Sequence, residues 1–173
     1  MDKILSWVKA VLAVTPETWR RMTRELPPEL LTASPAPGQW SAMECLQHII
    51  DTERVFHFRL GCVLESKDFP AFNPDTQGKT PDRSRKPADL AEEFLGLRAE
   101  SFKALEGIGA SQLVRSARHQ ELGVVTLNEM VHEWAAHDLN HTVQAERAIM
   151  QPFIRGCGPW QKYFSDHLAR TDK

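Results

Sequence analysis

The chain has 173 residues, of which 42% are hydrophobic, and its 21 basic and 23 acidic side chains give a net charge of −2. A chain of this length is predicted to form one domain over residues 1–173, with a core that needs neither disulfides nor a metal for its stability. The near-neutral charge argues against nucleic acid and against an anionic membrane surface as partners. No apolar run approaches the roughly 20 residues needed to cross a bilayer.

The cysteines indicate a reducing compartment. Cys45, Cys62 and Cys157 form no CxxC pair and leave an odd count, which is typical of free thiols. The N-terminus has neither the basic segment nor the small-residue cleavage site of a secretion signal. We therefore expect a soluble cytoplasmic protein.

The first helical pattern runs from residue 4 to about residue 26. Within it, Thr15 followed by Pro16 resembles an N-cap with a proline at the first helical position, so a bend or break is predicted there. The next stretch, 30–39, contains two prolines and a glycine and is predicted to be a loop.

A capping box opens the second long helix. Ser41 is followed three residues later by Glu44, so that each side chain satisfies a free backbone N–H of the first turn. We predict that this helix contains His48 and ends near residue 65. Residues 66–86 contain three prolines, a glycine and few apolar side chains, which predicts a long loop.

A third helix is predicted over residues 87–106, with an apolar stripe formed by Leu90, Phe94, Leu97, Phe102 and Leu105. Residues 113–125 are predicted to be extended or to form a small hairpin around Gly123. A last short helix is predicted over about residues 160–169.

The longest helix is predicted from residue 127 to about residue 150. Thr126 and Glu129 form a second capping box, and no glycine or proline follows until Pro152. Apolar residues lie almost all round this helix, which is typical of a central, buried element. Long helices with Pro/Gly-rich connections predict an all-α protein, an antiparallel four-helix bundle with extra short terminal helices.

A polar stripe nevertheless runs down this longest helix, on the side that carries His137 and His141. Histidines four residues apart on a helix can both reach one metal ion at about 2.0–2.1 Å. The competing interpretation is that the stripe faces water, or that the histidines are hydrogen-bonded core residues. A third ligand elsewhere in the chain would favour a metal site.

His48 is the candidate third ligand, because its helix also carries a face of mixed polar and apolar residues. Three imidazoles with one open position are typical of a catalytic rather than a structural metal site. The zinc-protease pattern HExxH is excluded, since His132 and His137 are one residue too far apart and point about 140° away from each other.

Two motifs carry a resemblance to a known family. The pattern W-S-x-x-E-x-x-x-H at residues 40–48, with H-D-x-x-H-x-x-Q at residues 137–144, resembles the DinB/YfiT-like family of metal-dependent enzymes. The resemblance implies a four-helix bundle in which His48, His137 and His141 bind a divalent metal ion such as Zn, Ni, Mn or Fe. One position on the ion is then open to water or substrate.

The resemblance also implies activities that the residues themselves do not specify. Relatives transfer groups to low-molecular-weight thiols, isomerise substrates with a thiol, or hydrolyse amides. We therefore expect a metal-dependent enzyme that acts on a small-molecule substrate, as a thiol-cofactor S-transferase or as a hydrolase. The alternative is a non-catalytic metal-binding or stress-related bundle.

Three further side chains are candidates for roles at the site. Glu133 lies one turn before His137 and is a candidate base or supporting residue, or a solvated carboxylate. Gln144 is a candidate for orienting the His141 imidazole. Arg59 could contact an anionic group of a substrate or pair with a carboxylate.

A homodimer is expected from the resemblance and from three tryptophans outside the proposed site, Trp7, Trp19 and Trp160. Large amphipathic aromatic residues are enriched at protein interfaces.

Overall fold

Four long α-helices dominate the computed structural model, which describes residues 2–73, 82 and 84–169. They are α1 (Asp2–Glu25), α3 (Ala42–Glu65), α4 (Pro87–Glu106) and α6 (Leu127–Gly156). The shorter elements are α2 (Pro28–Thr32), α5 (Ala110–Leu113), the strands β1 (Ser116–His119) and β2 (Gly123–Thr126), and a 3-10 helix (Gly158–His167). The all-α prediction is confirmed.

Both predicted capping boxes are present, and they fix the starts of the two helices that carry the histidines. Glu44 Oε2 accepts from the Ser41 N–H at 2.7 Å, and Ser41 Oγ accepts from the Glu44 N–H at 3.3 Å. Thr126 and Glu129 make the same reciprocal pair, at 2.7 and 3.2 Å. Each pair satisfies two N–H groups that a helix start leaves free.

Prolines interrupt the helices less than the sequence predicts. Helix α1 continues through Pro16, and α6 continues through Pro152 to Gly156 instead of ending at residue 150. Side chains beyond each proline are buried, Trp19 in α1 and Ile154 in α6, so packing outweighs the loss of one helix hydrogen bond.

The predicted loop over residues 30–39 was partly wrong, because residues Pro28–Thr32 form α2. A proline at the first helical position and the fully buried Leu31 favour this short helix. The stretch predicted over residues 113–125 contains a hairpin, one of the two predicted alternatives, in which β1 and β2 pair antiparallel and Gly123 has a φ of 79°.

The last helix is a 3-10 helix over Gly158–His167 rather than an α-helix over residues 160–169. Of the predicted loop 66–86, residues 74–81 and 83 lie outside the described residues.

Helices α1 and α3 occupy opposite corners of the bundle, because each packs against both α4 and α6. Neighbouring α3 and α6 are antiparallel, since His48 lies by His141 and Phe56 lies by Trp134. Helices α1 and α4 are also antiparallel, as the Arg24–Glu92 ion pair near the end of α1 and the start of α4 indicates.

The other two neighbouring pairs run in the same direction. Helices α3 and α4 are parallel, because Arg54 pairs with Glu93 and His57 contacts Ser101 one to two turns further along both helices. The chain therefore returns from the end of α3 to the level of its start. Two hydrogen bonds between the Gln47 amide and the Asp82 backbone, at 2.9 and 2.8 Å, join the chain there to α3.

The buried apolar side chains form two clusters along the bundle axis. One contains Leu12, Phe56 and Trp134, and the other contains Trp19 and Phe94. Along each long helix, polar or charged residues are buried between these clusters: Thr15, Thr52, Glu53, Arg98, Ser101 and Asp138. Within the described residues, no helix combines the length and the apolar character that a membrane span requires.

Candidate metal centre

Three histidines from α3 and α6 converge between the two apolar clusters. The Nε2 atoms of His48 and His137 are 3.1 Å apart, and the ligand atoms of His48, His137 and His141 all lie within 4.8 Å of one another. Two nitrogens bound at 2.0–2.1 Å to one tetrahedral ion are about 3.3 Å apart. The cluster therefore fits a metal ion with only small side-chain movements. The part of the chain that the structure describes contains no second group of this kind.

Aromatic rings hold the imidazoles in place. The Trp40 ring centroid lies 5.0 Å from that of His48 and 5.9 Å from that of His141, with the Trp40 and His141 rings stacked. On the opposite side, the Phe56 ring meets His137 edge-on at 5.6 Å. Trp40 directly precedes the capping box, so the same motif that starts α3 also supplies one wall of the site.

The surroundings keep the histidines neutral. Burial, together with the nearby His141, lowers the pKa of His48 to about 4. Burial, the two other histidines and Arg59 lower the pKa of His137 to about 3. Burial also lowers the pKa of His141, with the Gln144 hydrogen bond opposing the effect. Since only a neutral imidazole binds a metal ion, all three are in the ligand form at pH 7.

Gln144 fixes the tautomer of one candidate ligand. His141 Nδ1 donates to Gln144 Oε1 at 2.8 Å, which leaves the Nε2 lone pair free to bind an ion. The Nδ1 atom of His137 is buried and has no hydrogen-bond partner among the described residues, so Phe56 orients this ring by packing alone.

Replacing Gln144 with alanine should lower the affinity for a divalent ion by about 10–100-fold, because His141 loses the acceptor that fixes its ring. Isothermal titration of the metal-free protein with Zn²⁺ measures this change. Asn140→Ala, at an exposed position of the same polar stripe, is the matched control. Equal affinities for the two variants would contradict the orienting role of Gln144.

The other predicted residues lie outside the cluster. Glu133 is exposed and is not part of the group of converging ligand atoms. Arg59 is half-buried, with Nη2 3.2 Å from His119 Nε2 and its guanidinium 5.5 Å from the centre of the Phe69 ring. Burial lowers the pKa of Arg59, and the negative charge of Glu133 opposes this effect.

A buried charged network lies directly behind the histidines and was missed in the sequence. Arg98 binds both oxygens of Glu53 at 2.9 and 2.8 Å, and Asp138 Oδ2 at 2.8 Å. Burial raises the pKa of the Asp138 carboxyl to about 6, although Arg98 opposes this. The Trp134 indole N–H donates to Glu53 at 2.9 Å. The sequence does contain a sign of this network, because each of these charged residues stands at the helical spacing of its helix's apolar residues. Arg98, for example, lies four residues after Phe94.

Pro16 has a role in this network. A proline at this position cannot donate to the carbonyl of Leu12, four residues earlier. Arg98 Nη1 donates to the same carbonyl at 2.7 Å. The sequence feature that predicted a break in α1 therefore supplies a hydrogen-bond acceptor for the buried guanidinium.

A cleft of about 770 Å³ adjoins the histidine cluster on the side of His141, which is the member of the cluster that lines it. His141, Gln144 and Arg147 of α6 line one side, Trp40 lines another, and residues 166–169 close a third. Clefts of this volume hold drug-sized ligands. The contribution of residues 166–169 could not be predicted, since no motif links them to the site.

The metal-free protein should lose stability as the pH falls from about 6.5. The folded state holds His48 and His137 with pKa values of about 4 and 3, whereas the unfolded chain has ordinary histidines that bind protons near 6.5. Their contribution to stability is therefore complete above pH 6.5 and is lost as the pH falls towards those values. Thermal unfolding at pH 7.5 and at pH 4.5 measures this loss of stability. Between the two pH values, the melting temperature of His48→Ala should fall by less than that of His132→Ala. Equal losses in the two variants would contradict this explanation.

Comparison with known proteins agrees with the family resemblance and the helical-bundle fold. The family model of the DinB superfamily matches residues 12–145. The fold is similar to that of YfiT from Bacillus subtilis, which is described as a probable metal-dependent hydrolase with an unusual four-helix bundle topology. The two structures have a TM-score of 0.69 and 16% sequence identity, and the match covers 86% of each chain. A DinB-like protein from Bacillus subtilis, YjoA, has a TM-score of 0.56 and 20% identity, over 87% of this chain and 92% of the other. No curated protein sequence matches significantly.

Proposed function

The chain belongs to the DinB superfamily, and from this premise we propose that it is a divalent-metal-dependent enzyme acting on a small molecule. The observation that carries the proposal is the convergence of three neutral imidazoles beside an open cleft of about 770 Å³. Three histidines leave one position of a tetrahedral ion open, which is the pattern of catalytic zinc sites.

His48, His137 and His141 would hold the ion through one nitrogen each. When bound, a divalent ion supplies Lewis-acid chemistry, polarising a substrate oxygen or lowering the pKa of a water or thiol. Gln144 keeps the His141 lone pair directed at the site, and the Trp40 ring stacks against the His141 imidazole. The nearby cleft brings a substrate to the open position.

Hydrolysis is the first reaction to test, because the structurally similar YfiT is described as a probable metal-dependent hydrolase. Transfer to a low-molecular-weight thiol is the second reaction, with the thiol as co-substrate. Glu133 is a candidate base for either one, although it would need to reach the cleft from its exposed position on α6. A non-catalytic metal-binding bundle is less well supported, since a vestigial site would not need a polar cleft beside it.

Metal analysis followed by a substrate screen tests the proposal. The purified protein is loaded with Zn²⁺, Ni²⁺, Mn²⁺ or Fe²⁺ and assayed with amides and esters, and then with electrophiles and several small thiols. Turnover that depends on metal and is lost in His48→Ala supports an enzyme. Stoichiometric metal without turnover in either set would favour the non-catalytic alternative.

We also propose that the protein is a homodimer. The indoles of Trp7 and Trp160 are 56% and 66% exposed, as interface anchors would be in an isolated protomer. Trp19 does not support this proposal, because it is fully buried in the core. Light scattering at tens of micromolar should give the mass of two chains, and a monomer at that concentration would contradict the proposal.

A further inference from the structure

The 3-10 helix at the end of the described chain is attached to the bundle without burying its own side chains. None of the residues in Gly158–His167 is buried, and Trp160 and Tyr163 are 66% and 69% exposed. The least exposed large apolar side chains of this helix and the residue after it, Phe164 and Leu168, are still 39% and 38% exposed, so burial of apolar surface alone does not explain why this segment lies beside α6.

Among the described residues, one buried side chain of α6 makes the hydrogen bonds that attach this segment. Gln151 is 2% exposed, and its Nε2 donates to the carbonyls of Arg147 at 2.8 Å and His167 at 2.9 Å. Its Oε1 accepts from the Ala169 N–H at 2.8 Å. Both N–H groups of the amide and its oxygen are therefore bonded, and a fully satisfied buried polar group is rigid. Gln151 fixes the backbone of residues 167–169 relative to α6.

The segment that Gln151 holds forms one wall of the cleft beside the histidines. Residues 166–169 line the cleft opposite Trp40, together with Arg147. Since the family model ends at residue 145, both Gln151 and this wall lie outside the part of the chain that the model matches.

Two opposite charges face this part of the cleft. Arg147 and Asp166 both line it and both are exposed, and they form no ion pair with each other or with another described residue. Each is available to a ligand group of the opposite charge.

We propose that Gln151 is a positioning residue that holds residues 166–169 as the distal wall of the cleft. This wall and Arg147 bind the part of the substrate that lies away from the histidines. The substrate class that follows is an elongated polar molecule with charged groups of both signs remote from its reacting atom. The inference rests on the proposed function, because it requires a metal ion at the histidines.

The proposed role of the wall can be tested with two thiols. Both can bind a metal ion through sulfur, but only one carries charged groups remote from it. The Co²⁺-loaded protein is titrated with 2-mercaptoethanol and with glutathione, which carries an ammonium and two carboxylates, and the cobalt–thiolate absorption gives each affinity. In Gln151→Ala, the affinity for glutathione should fall about tenfold, because distal contacts are lost, while that for 2-mercaptoethanol stays within about twofold. Gln112→Ala is the control, since it removes a glutamine bond to the Gly109 N–H near the other end of α6 and should change neither affinity.

The outcomes separate the wall from the metal centre. Without Co²⁺ uptake by the wild type, the proposed function fails and this inference with it. Co²⁺ uptake without thiolate absorption for either thiol overturns this inference and leaves metal-dependent hydrolysis standing. If both thiols bind but Gln151→Ala binds glutathione as tightly as the wild type or more tightly, only the wall is overturned. Should Gln151→Ala fail to fold, Asp166→Ala keeps the glutamine bonds and should weaken glutathione about threefold. An unchanged affinity there overturns the wall equally.

Discussion

Replacing His137 with alanine should abolish stoichiometric binding of a divalent ion. His137 contacts both other histidines: its Nε2 lies 3.1 Å from that of His48, and its ring lies 4.5 Å from that of His141. Four-ligand structural zinc sites have binding free energies of about 10–16 kcal/mol, so one ligand is worth about 3 kcal/mol, or more than 100-fold in affinity. Metal analysis after gel filtration should find less than one-tenth of an equivalent.

The matched control is His132→Ala, at an exposed position on the same helix, where the imidazole bonds to the Asn128 carbonyl at 2.7 Å and to no other residue that the structure describes. This variant should keep the full equivalent. His119→Ala should also keep it, although His119 is buried and its Nδ1 accepts from the Glu121 and Leu122 N–H groups, so that hairpin stability will fall. Full metal content in His137→Ala would refute the assignment of the site.

Replacing Arg98 with alanine should cause the largest loss of stability of any single ion-pair variant described here. Its guanidinium is the cation that the buried carboxylates of Glu53 and Asp138 share, and both pairs are at most 2% exposed. Removing one partner of a buried pair costs about 3–5 kcal/mol, because the remaining charge stays buried without compensation. For a chain of this size the melting temperature should fall by about 6–20 °C.

Arg24→Ala is the matched control for Arg98→Ala. Arg24 also pairs with a carboxylate of α4, Glu92, but both side chains are half exposed, and such pairs contribute about 0–1 kcal/mol. Urea unfolding of the two variants in the metal-free state gives the comparison directly. Similar free energies of unfolding would show that the buried network does not stabilise the fold.

The sequence contained enough to predict the helices and the histidines that converge, because the helix starts and the spacing of His137 and His141 are local features. The capping boxes at Ser41 and Thr126 determine where α3 and α6 begin, and these starts set the positions of His48 and His137 within their helices. The spacing of His137 and His141 places them on one face. None of this requires knowledge of the tertiary structure.

What the sequence could not provide depends on contacts between distant segments. His48 and His137 lie at the same height along the bundle axis because α3 packs antiparallel to α6. No local sequence pattern specifies that packing. The parallel direction of α3 and α4 depends on the long connection between them. Trp19 was expected at an interface because its size is visible in the sequence, whereas its burial results from packing by other helices.

The most direct test of the account is the anomalous difference map of a crystal grown with Zn²⁺. The account predicts one strong peak about 2.0–2.1 Å from a nitrogen of each of His48, His137 and His141, with the fourth position open towards the cleft. A peak bound by other residues, or one closed by a fourth protein ligand, would contradict it.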